Sequence, residues 1–533
     1  FQLVFDLVNS DPDIVCERFF LPSRSCRPLS IESDRPLRDF PVILCSVSFE
    51  NDYLNLLKIF FTSGISPLAV DRAASNPIAA PGWPLVICGG VATFINPEPL
   101  APFVDMFIVG EAEPALPAVM EYLKKRLKEK KRESLLREMA GRFDGCYVPH
   151  LYEVIYHEDG TLSSVSAPPD LPAPVKRIIL PETDTAGHSK ILTPDAEFAD
   201  LFLIELGRGC SRGCRFCAAG FVYRPPRLWN TDAIINGLSK KPREINRVGL
   251  LGMEMARPDD LALLADHMLK ESYSLSFSSL RADAVSPPLL ELLEKSNVKS
   301  AAIAPDGSSE RLRRVINKGI TEDDLLQTAE SLVRAGVMNL KLYYMIGLPS
   351  ETMEDLDELV ELTLKIKKRL LDVGRPRGRL ADMVLSINCF VPKAWTPFQF
   401  YGFERVSELK KRLKYIRKKL AGRANITIKA EPPENAFFQA VLARGDRRVG
   451  IALLEMIRNG KNRRQVLKSQ GLDPEFFAMR ERGKHEMFPW EIIDNGIDRN
   501  YLFHEYEKAL KGKLTRACDT TKCRSCGVCD GGS

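Results

Sequence analysis

Hydrophobic and polar positions along the chain fall into two regular stretches with an irregular one between them. The first stretch holds three short apolar runs, residues 40–47, 84–88 and 104–109, each the length of a buried parallel strand. Between the first two, residues 52–62 place Leu54, Leu57, Ile59 and Phe60 at helical spacing, and a further helix is predicted from about Leu116. The second and third runs end in Gly89-Gly90 and Gly110-Glu111. Repetition of strand, glycine turn and helix predicts an open, doubly wound α/β sheet with a ligand crevice at the carboxyl ends of its strands. The phosphate-cradling pattern G-x-G-x-x-G is absent, which argues against a dinucleotide. Residues 123–142 are rich in Lys and Arg and predict one basic helix, a solvated face or strut in preference to an RNA-binding surface. From residue 147 to 188 the chain is turn-rich, with Pro168, Pro169, Pro172 and Pro174, and predicts a connector with a hairpin near Asp159-Gly160.

The second regular stretch alternates strand and helix. Strands are predicted at residues 201–206, 247–252, 274–278, 300–304, 339–346 and 384–390. Helices are predicted at 231–239, 259–269, 287–295, 321–335 and 353–371. Six strands, each followed by helix or loop, predict a partial (β/α)6 barrel with its chemistry at the carboxyl ends. Beyond Tyr401 the chain reads as mainly helical, and the basic amphipathic stretch 408–420 is taken as a solvated face. The expected domains are therefore residues 1–122 (sheet), 123–200 (helical and irregular connector), 201–400 (barrel) and 401–533 (helices with a cysteine-rich tail).

Composition narrows the classes. A chain of 533 residues exceeds one ordinary core, so two or three domains are expected. Its 45% hydrophobic and 27% charged residues describe a soluble globular protein. A net charge of +5, from 75 basic and 70 acidic residues, gives no indication of a nucleic-acid partner. No run approaches the roughly 20 apolar residues of a membrane span. The chain opens at Phe1 and not at a methionine, so an upstream segment is expected, and with it room for a targeting signal. Seven of the 13 cysteines fall in two tight clusters, which is metal-site spacing. The other six (Cys16, Cys26, Cys45, Cys88, Cys146 and Cys389) are expected to be mostly buried thiols in a reducing cytoplasm.

Cys210, Cys214 and Cys217 sit in the run Gly-Arg-Gly-Cys-Ser-Arg-Gly-Cys-Arg-Phe-Cys-Ala-Ala-Gly, residues 207–220, directly after the strand at 201–206. A tetrahedral zinc site or a closed iron–sulfur cluster takes four protein ligands. Three thiolates on one tight loop suit three irons of a [4Fe–4S] cluster and leave the fourth iron open. Half of a zinc site completed from elsewhere is the alternative. Gly207, Gly209 and Gly213 let the backbone wrap closely around an inorganic core. Arg208, Arg212 and Arg215 are read as offsetting the charge of sulfide and thiolate. At the other end of the chain Cys518, Cys523, Cys526 and Cys529 follow C-x4-C-x2-C-x2-C. Four thiolates this close converge on one metal centre, either an auxiliary iron–sulfur cluster or a structural zinc.

The C-x3-C-x2-C loop resembles that of the radical S-adenosylmethionine (SAM) superfamily. Asn96-Pro97-Glu98-Pro99-Leu100, Gly213-Cys214-Arg215-Phe216-Cys217, Val315-Ile316-Asn317-Lys318, Phe390-Val391-Pro392-Lys393, Thr396-Pro397-Phe398-Gln399 and Ala443-Arg444-Gly445-Asp446-Arg447-Arg448 occur in that order. Together they resemble radical SAM proteins with an N-terminal, Rossmann-like cobalamin-binding-like domain, and the likeness covers nearly the whole chain. It implies that the open iron chelates the amino and carboxylate groups of SAM, with Phe216 near the adenine. It further implies SAM contacts at Gly252, Met253 and Glu254 (amino group), Ser278 and Arg281 (carboxylate), Asp306 and Ser308 (ribose) and Gly347 (adenine side). Arg281 has a simple pairing with Asp283 as its alternative, and Asp306–Glu310 an ordinary helix cap. Ser46, Ser48, Gly89 and Gly90 stand where such domains contact cobalamin. All six histidines lie beyond residue 149, so a bound cobalamin would lack a histidine ligand, or the domain serves as scaffold.

The expected activity is reductive cleavage of SAM to a 5′-deoxyadenosyl radical, with cobalamin-linked methylation or another modification at an unactivated carbon. The alternatives are a methylthiotransferase-like or other RNA- or protein-modifying enzyme without cobalamin, and a non-catalytic iron–sulfur carrier or scaffold. Expected partners are SAM and an electron donor such as ferredoxin or flavodoxin. Arg444 and Asp446 are candidates for substrate contact, with a helix-start salt bridge as their alternative.

Overall fold

The computed structural model describes residues 1–23, 26–73, 83–129, 131–252, 258–277, 279–378, 380–460 and 462–529. The chain forms two compact units. The first comprises Phe1–Pro181, Pro392–Trp395 and Phe438–Ile497; the second comprises Glu182–Val391, Thr396–Phe437 and Asp498–Ser533.

In the first unit the three apolar runs are strands β1 (Val42–Ser46), β2 (Leu85–Gly89) and β3 (Met106–Ile108), parallel and in chain order. That progression is what one half of a doubly wound sheet shows. Strand β4 (Cys146–Tyr147) runs antiparallel beside β3. Leu85, Ile87, Met106 and Ile108 share one buried cluster with Leu116, Val119 and Leu123 and with Leu135, Leu136 and Met139. The basic stretch is therefore two helices, Leu116–Arg126 and Arg132–Arg142, and not the single helix that its charge suggests. The apolar stripe of the first runs out at Leu127, a new stripe starts at Leu135, and Lys131 between them is extended. This shared core is also why the first division of the chain falls at Pro181, well beyond the expected boundary at residue 122.

The positive charge of these helices is matched inside the unit. Arg132 is buried, donating to Asp105 (3.0 Å) and to the carbonyl of Trp83 (2.7 Å), while Arg72 donates to the other Asp105 oxygen (3.0 Å). Lys124 pairs with Asp11 at 2.8 Å. The hairpin expected near Asp159-Gly160 is present as β5 (Glu153–Tyr156) and β6 (Leu162–Ser166), and β7 (Val175–Lys176) pairs in parallel with Ile493–Asp494.

Two of the motifs quoted above meet here. The Asn96 amide donates to the carbonyls of Ala443 (3.2 Å) and Gly445 (2.9 Å). The buried Glu98 accepts from Tyr147 Oη (2.6 Å) and Arg447 Nε (2.8 Å). Asp446 caps the helix Arg447–Asn459, accepting from Arg448 N at 2.9 Å, and the Arg448 guanidinium forks onto the same carboxylate. Arg444 is fully buried, donating to the carbonyl of Arg480 at 2.6 Å. The helix-start salt bridge is present for Asp446, whose partner is Arg448, while Arg444 ends the preceding helix Pro433–Arg444 and takes no part in that bridge. Tyr147→Phe should lower the opening free energy of β3 and β4 by about 1.5–3 kcal/mol, the range for a hydrogen bond to a charged group. Hydrogen exchange of those strands measures it, and unchanged protection would refute the role given to Glu98.

The second unit is built on parallel strands. β8 (Phe202–Glu205) leads to a two-residue ladder, β9 (Gly207–Arg208) antiparallel to β10 (Arg227–Leu228). β11 (Arg247–Leu251) lies between β8 and β12 (Ser274–Phe277). β13 (Ser300–Asp306), β14 (Asn339–Ile346), β15 (Asp382–Cys389) and β16 (Ile426–Ala430) continue in order, and a single parallel bridge, Leu280 to Ile303, links the two sets. The result is the expected open barrel with one more strand. β16 alternates half-buried and exposed residues over only five positions and lies past the boundary expected at residue 400, inside the part read as helical. Helices Thr231–Ser239, Pro287–Lys295, Glu322–Arg334 and Met353–Gly374 pack between the strands. The basic helix Val406–Leu420 buries Leu409, Leu413, Ile416 and Leu420 and pairs Lys410, Lys411 and Lys419 with Glu434, Glu408 and Asp357.

Candidate metal and cofactor site

The cysteine loop leaves the carboxyl end of β8, and the β9–β10 ladder closes its base, so residues 209–226 form one loop pinned at both ends. Gly209 has φ +83°, and a Cβ there would lie 2.6 Å from the carbonyl oxygen of Tyr223. Only glycine permits that close crossing of the two loop arms. Within the loop Cys217 N donates to Cys214 O (3.0 Å) and Gly220 N to Cys217 O (3.1 Å), a tight turn that leads into the short helix Ala219–Val222. All 13 cysteines are thiols. Among the described residues no three His, Cys, Asp or Glu side chains are already closed on a common point as metal ligands would be. The loop thiols nevertheless act on one another: burial pushes the Cys217 thiol up to about 12, with Cys214 and Cys210 adding to the rise.

Of the three arginines in the loop, Arg215 feels the Cys214 thiol electrostatically, and each has a carboxylate partner of its own. Arg208 pairs with Glu205 (3.0 Å) and stacks on Trp229; Arg212 lies 3.6 Å from Asp283. Arg215 is completely buried and forks onto Glu505 through Nε (3.2 Å) and Nη2 (3.0 Å). The guanidinium of Arg281 lies beside the loop, its Nη1 3.9 Å from Cys214 Sγ. Burial raises the Cys214 thiol, and Lys318 and Arg281 pull it back down. Lys318 in turn donates to Asp306 at 2.6 Å. Asp306 sits at the end of β13, where the strand bulges and its own φ is +61°, a left-handed conformation that aims the carboxylate at Lys318. Burial raises the Asp306 carboxyl against the pull of that ammonium.

The loop is also held from the opposite end of the chain. The Asn317 amide donates to the carbonyls of Arg212 (3.3 Å) and Gly213 (3.2 Å) while its Oδ1 accepts from Thr515 N (2.8 Å). Cys518 N donates to Ser211 O at 2.6 Å. The first cysteine of the tail is thus one hydrogen bond from the residue that follows the first cysteine of the loop.

The description "Radical SAM proteins, N-terminal" matches residues 1–149, and "Radical SAM superfamily" matches residues 204–363, which include the cysteine loop. An uncharacterised protein, MJ0966 of Methanocaldococcus jannaschii, is 31% identical over 421 residues, covering 78% of this chain and 80% of its own length. This chain belongs to the radical SAM superfamily. Over a shorter stretch this radical SAM protein is 23% identical to the ribosomal protein uS12 methylthiotransferase RimO of Petrotoga mobilis, covering 33% of the chain and 42% of the relative. Among solved structures it aligns with the cobalamin-dependent SAM radical enzyme OxsB bearing aqua-cobalamin, with TM-score 0.43 and 13% identity over 88% of this chain and 71% of that one. It also aligns with the radical SAM methyltransferase TsrM of Kitasatospora setae, with TM-score 0.41 and 11% identity over 64% of this chain and 61% of that one.

Membership in the superfamily implies a [4Fe–4S] cluster and SAM, and the donor set of this radical SAM protein fits the cluster. Cys210, Cys214 and Cys217 carry thiols, the soft donors such a cluster takes, on one pinned loop, with the cationic Arg281 and Lys318 beside Cys214. Lys318→Met should therefore make the midpoint for reducing the cluster more negative, since a nearby positive charge favours the reduced form. A redox titration followed by electron paramagnetic resonance reads that shift, and an unmoved midpoint would remove Lys318 from the site.

The residues expected to touch SAM divide. Phe216 packs against Leu312, Ile316, Leu348 and Phe390, at the exits of β14 and β15. Arg281 forks onto Asp283 (2.8 and 2.9 Å), the pairing named as its alternative, and also donates to Lys318 O (2.7 Å). Ser308 donates to Glu351 at 2.8 Å, and the other oxygen of Glu351 accepts from Gly347 N (2.7 Å) and Arg412 Nη1 (2.7 Å). Ser308 and Gly347 are thus joined by a buried carboxylate that shapes the exit of β14. Gly252 directly follows β11. Met253, Glu254 and Ser278 lie outside the described residues. Sequence reasoning quoted Asn317 and Lys318 only as part of a family motif; their tie to the loop comes from the left-handed Asn317 (φ +56°), which turns the chain back toward Gly213.

Proposed function

We propose that this chain cleaves SAM reductively and uses the resulting 5′-deoxyadenosyl radical to modify an unactivated carbon, with cobalamin-linked methylation as the form of that chemistry. The observation that carries the reading is the loop of three thiols at the carboxyl end of the first barrel strand, one ligand short of a closed site and flanked by Arg281 and Lys318. When bound, the cluster supplies the electron that parts the sulfonium, delivered by a donor such as ferredoxin or flavodoxin. The chain's own residues hold the cluster through Cys210, Cys214 and Cys217, balance its charge and present the apolar Phe216 beside the strand exits.

In this reading the place for cobalamin is the first unit. Ser46, Gly89 and Gly90 line a crevice at the carboxyl ends of the parallel strands, with Cys45 and Cys88 on its wall. The crevice measures about 130 Å³ and is lined by Phe1 and by Val4 and Phe5 of the helix Gln2–Asn9, so it is too small for a corrin with that helix in place. Gly90, with φ +100°, is required by the fold itself: a Cβ there would lie 2.4 Å from Val47 O. Ser48 follows the end of β1 and is not among the residues lining the crevice. Among the described residues no helix is long and apolar enough to cross a membrane.

The test is anaerobic incubation of the reconstituted protein with SAM and dithionite. 5′-Deoxyadenosine should accumulate, and its absence in the presence and absence of cell extract as a substrate source would refute the reading. A cobalamin absorption band after reconstitution separates methylation from the methylthiotransferase-like reading that the RimO likeness favours over a third of the chain.

A further inference from the structure

The tail that follows the helix Arg499–Leu510 has no helix or strand from Lys513 to Cys529. Its composition cannot order it: Leu514 is about half exposed, and Lys511, Lys513, Arg516, Lys522 and Arg524 are all exposed. A segment with so little apolar surface does not offset the entropy of fixing its backbone. Yet it is folded tightly enough that Cys526 is only 4% exposed and Asp498 N donates to Cys526 O at 2.9 Å. What such a segment uses in place of a core is a covalent or metal cross-link, and its cysteines form no disulfide.

We propose that Cys518, Cys523, Cys526 and Cys529 hold a second iron–sulfur centre, closed by four protein thiolates, and that this centre braces the loop Cys210–Cys217 in its metal-binding shape. The compact C-x2-C-x2-C run favours a cubane over a zinc ion, which is usually held by two separated cysteine pairs. Cys518, Cys523 and Cys526 line a cleft of about 660 Å³ together with Gly213, Arg224 and Asn317. Tail and loop are joined by Cys518 N to Ser211 O (2.6 Å) and by Arg215 Nη2 to Lys513 O (2.7 Å) and Thr515 Oγ1 (3.4 Å), and Asn317 bridges them, its Oδ1 accepting from Thr515 N (2.8 Å). Arg224 is buried at the same junction, donating to Gly220 O (3.1 Å) and to Tyr501 Oη (3.3 Å). An open-sided cluster has one protein ligand fewer than a closed one and is the more easily lost, so a loop that carries it gains from an anchor that is itself cross-linked.

The inference rests on the loop holding a cluster, and the experiment separates the two ideas. Iron, acid-labile sulfide and zinc are counted on the full chain after anaerobic reconstitution, for the wild type and three variants. C210A/C214A/C217A should keep about half of the wild-type iron and sulfide, the tail's share. Loss of all iron from that variant would overturn the tail centre, and unchanged iron would instead overturn the loop cluster. C523S/C526S should fall to half or below, and its remaining iron should pass to a chelator roughly tenfold faster than in wild type. Zinc at one per chain without matching sulfide would refute the iron–sulfur assignment. Asn317→Ala, which leaves every thiol in place, should keep full iron and sulfide while the loop's share is released faster. Wild-type release from that variant and from C523S/C526S would show that the tail braces nothing.

Discussion

Cys214→Ala is expected to strip the loop of its cluster and take 5′-deoxyadenosine formation below detection. Two thiolates remain after the change, and two cannot hold a cluster that already has one open iron. The loss should be specific, because the groups around Cys214 keep other partners. Arg281 stays forked on Asp283 and bonded to Lys318 O, and Lys318 stays on Asp306. No buried charge is left unpaired, so the apoprotein should unfold within about 1 kcal/mol of the wild-type apoprotein, the modest cost of trimming one small side chain. Cys146→Ala, which removes a fully buried thiol of the first unit, is the control: it should lower stability by cavity formation and leave the loop iron unchanged. Wild-type iron and SAM cleavage in Cys214→Ala would refute the assignment of the loop. Equal iron loss in both variants would mean that the loop thiols matter only for folding.

Much of this architecture was legible because the sequence marks it twice. The barrel strands are apolar runs of fixed length, and their helices open with matching caps, as in Thr321 and Asp324, whose side chains reciprocally satisfy the first turn of Glu322–Arg334. Thiol spacing gave the loop in the same way, since three ligands within eight residues have few other uses. What could not be read is which partner a charge finds. Arg215 lies one residue from Cys214, yet its carboxylate is Glu505, 290 positions away. The cations that do flank the thiol, Arg281 and Lys318, follow β12 and β13 and reach the loop only because the barrel closes. The same holds for Glu98 and Arg447, two motif residues 349 positions apart. The missed strand β16 and the split basic helix fail for a different reason. Five positions alternating half-buried and exposed, and a run of lysines, carry too weak a period for pattern to decide, and tertiary packing decides instead.

Arg215→Met should be the most damaging single change to the second unit that leaves all cysteines intact. The guanidinium has five N–H donors, and each has an acceptor. Nε and Nη2 meet Glu505; Nη1 donates to Arg314 O (3.2 Å) and Val315 O (2.9 Å); Nη2 also reaches Lys513 O (2.7 Å). Its side chain is completely buried and that of Glu505 is 2% exposed. Methionine matches the length but leaves Glu505 with only Lys508 and Thr515, and takes a donor from the carbonyls of Val315 and Lys513, while Arg314 O keeps Asn317 N. Breaking a buried pair from one side costs about 3–5 kcal/mol. Hydrogen exchange in the helices Glu310–Val315 and Arg499–Leu510 should accordingly quicken by roughly 10²–10⁴-fold. Arg215→Lys should lie between, because an ammonium keeps the charge and cannot form the planar fork. Adding Glu505→Leu to Arg215→Met removes the stranded carboxylate and should recover part of the loss. If Arg215→Met exchanges like wild type, the guanidinium is not what joins the cysteine loop to the terminal helix, and the link from chain end to metal loop must run through Arg224, Asn317 and Cys518.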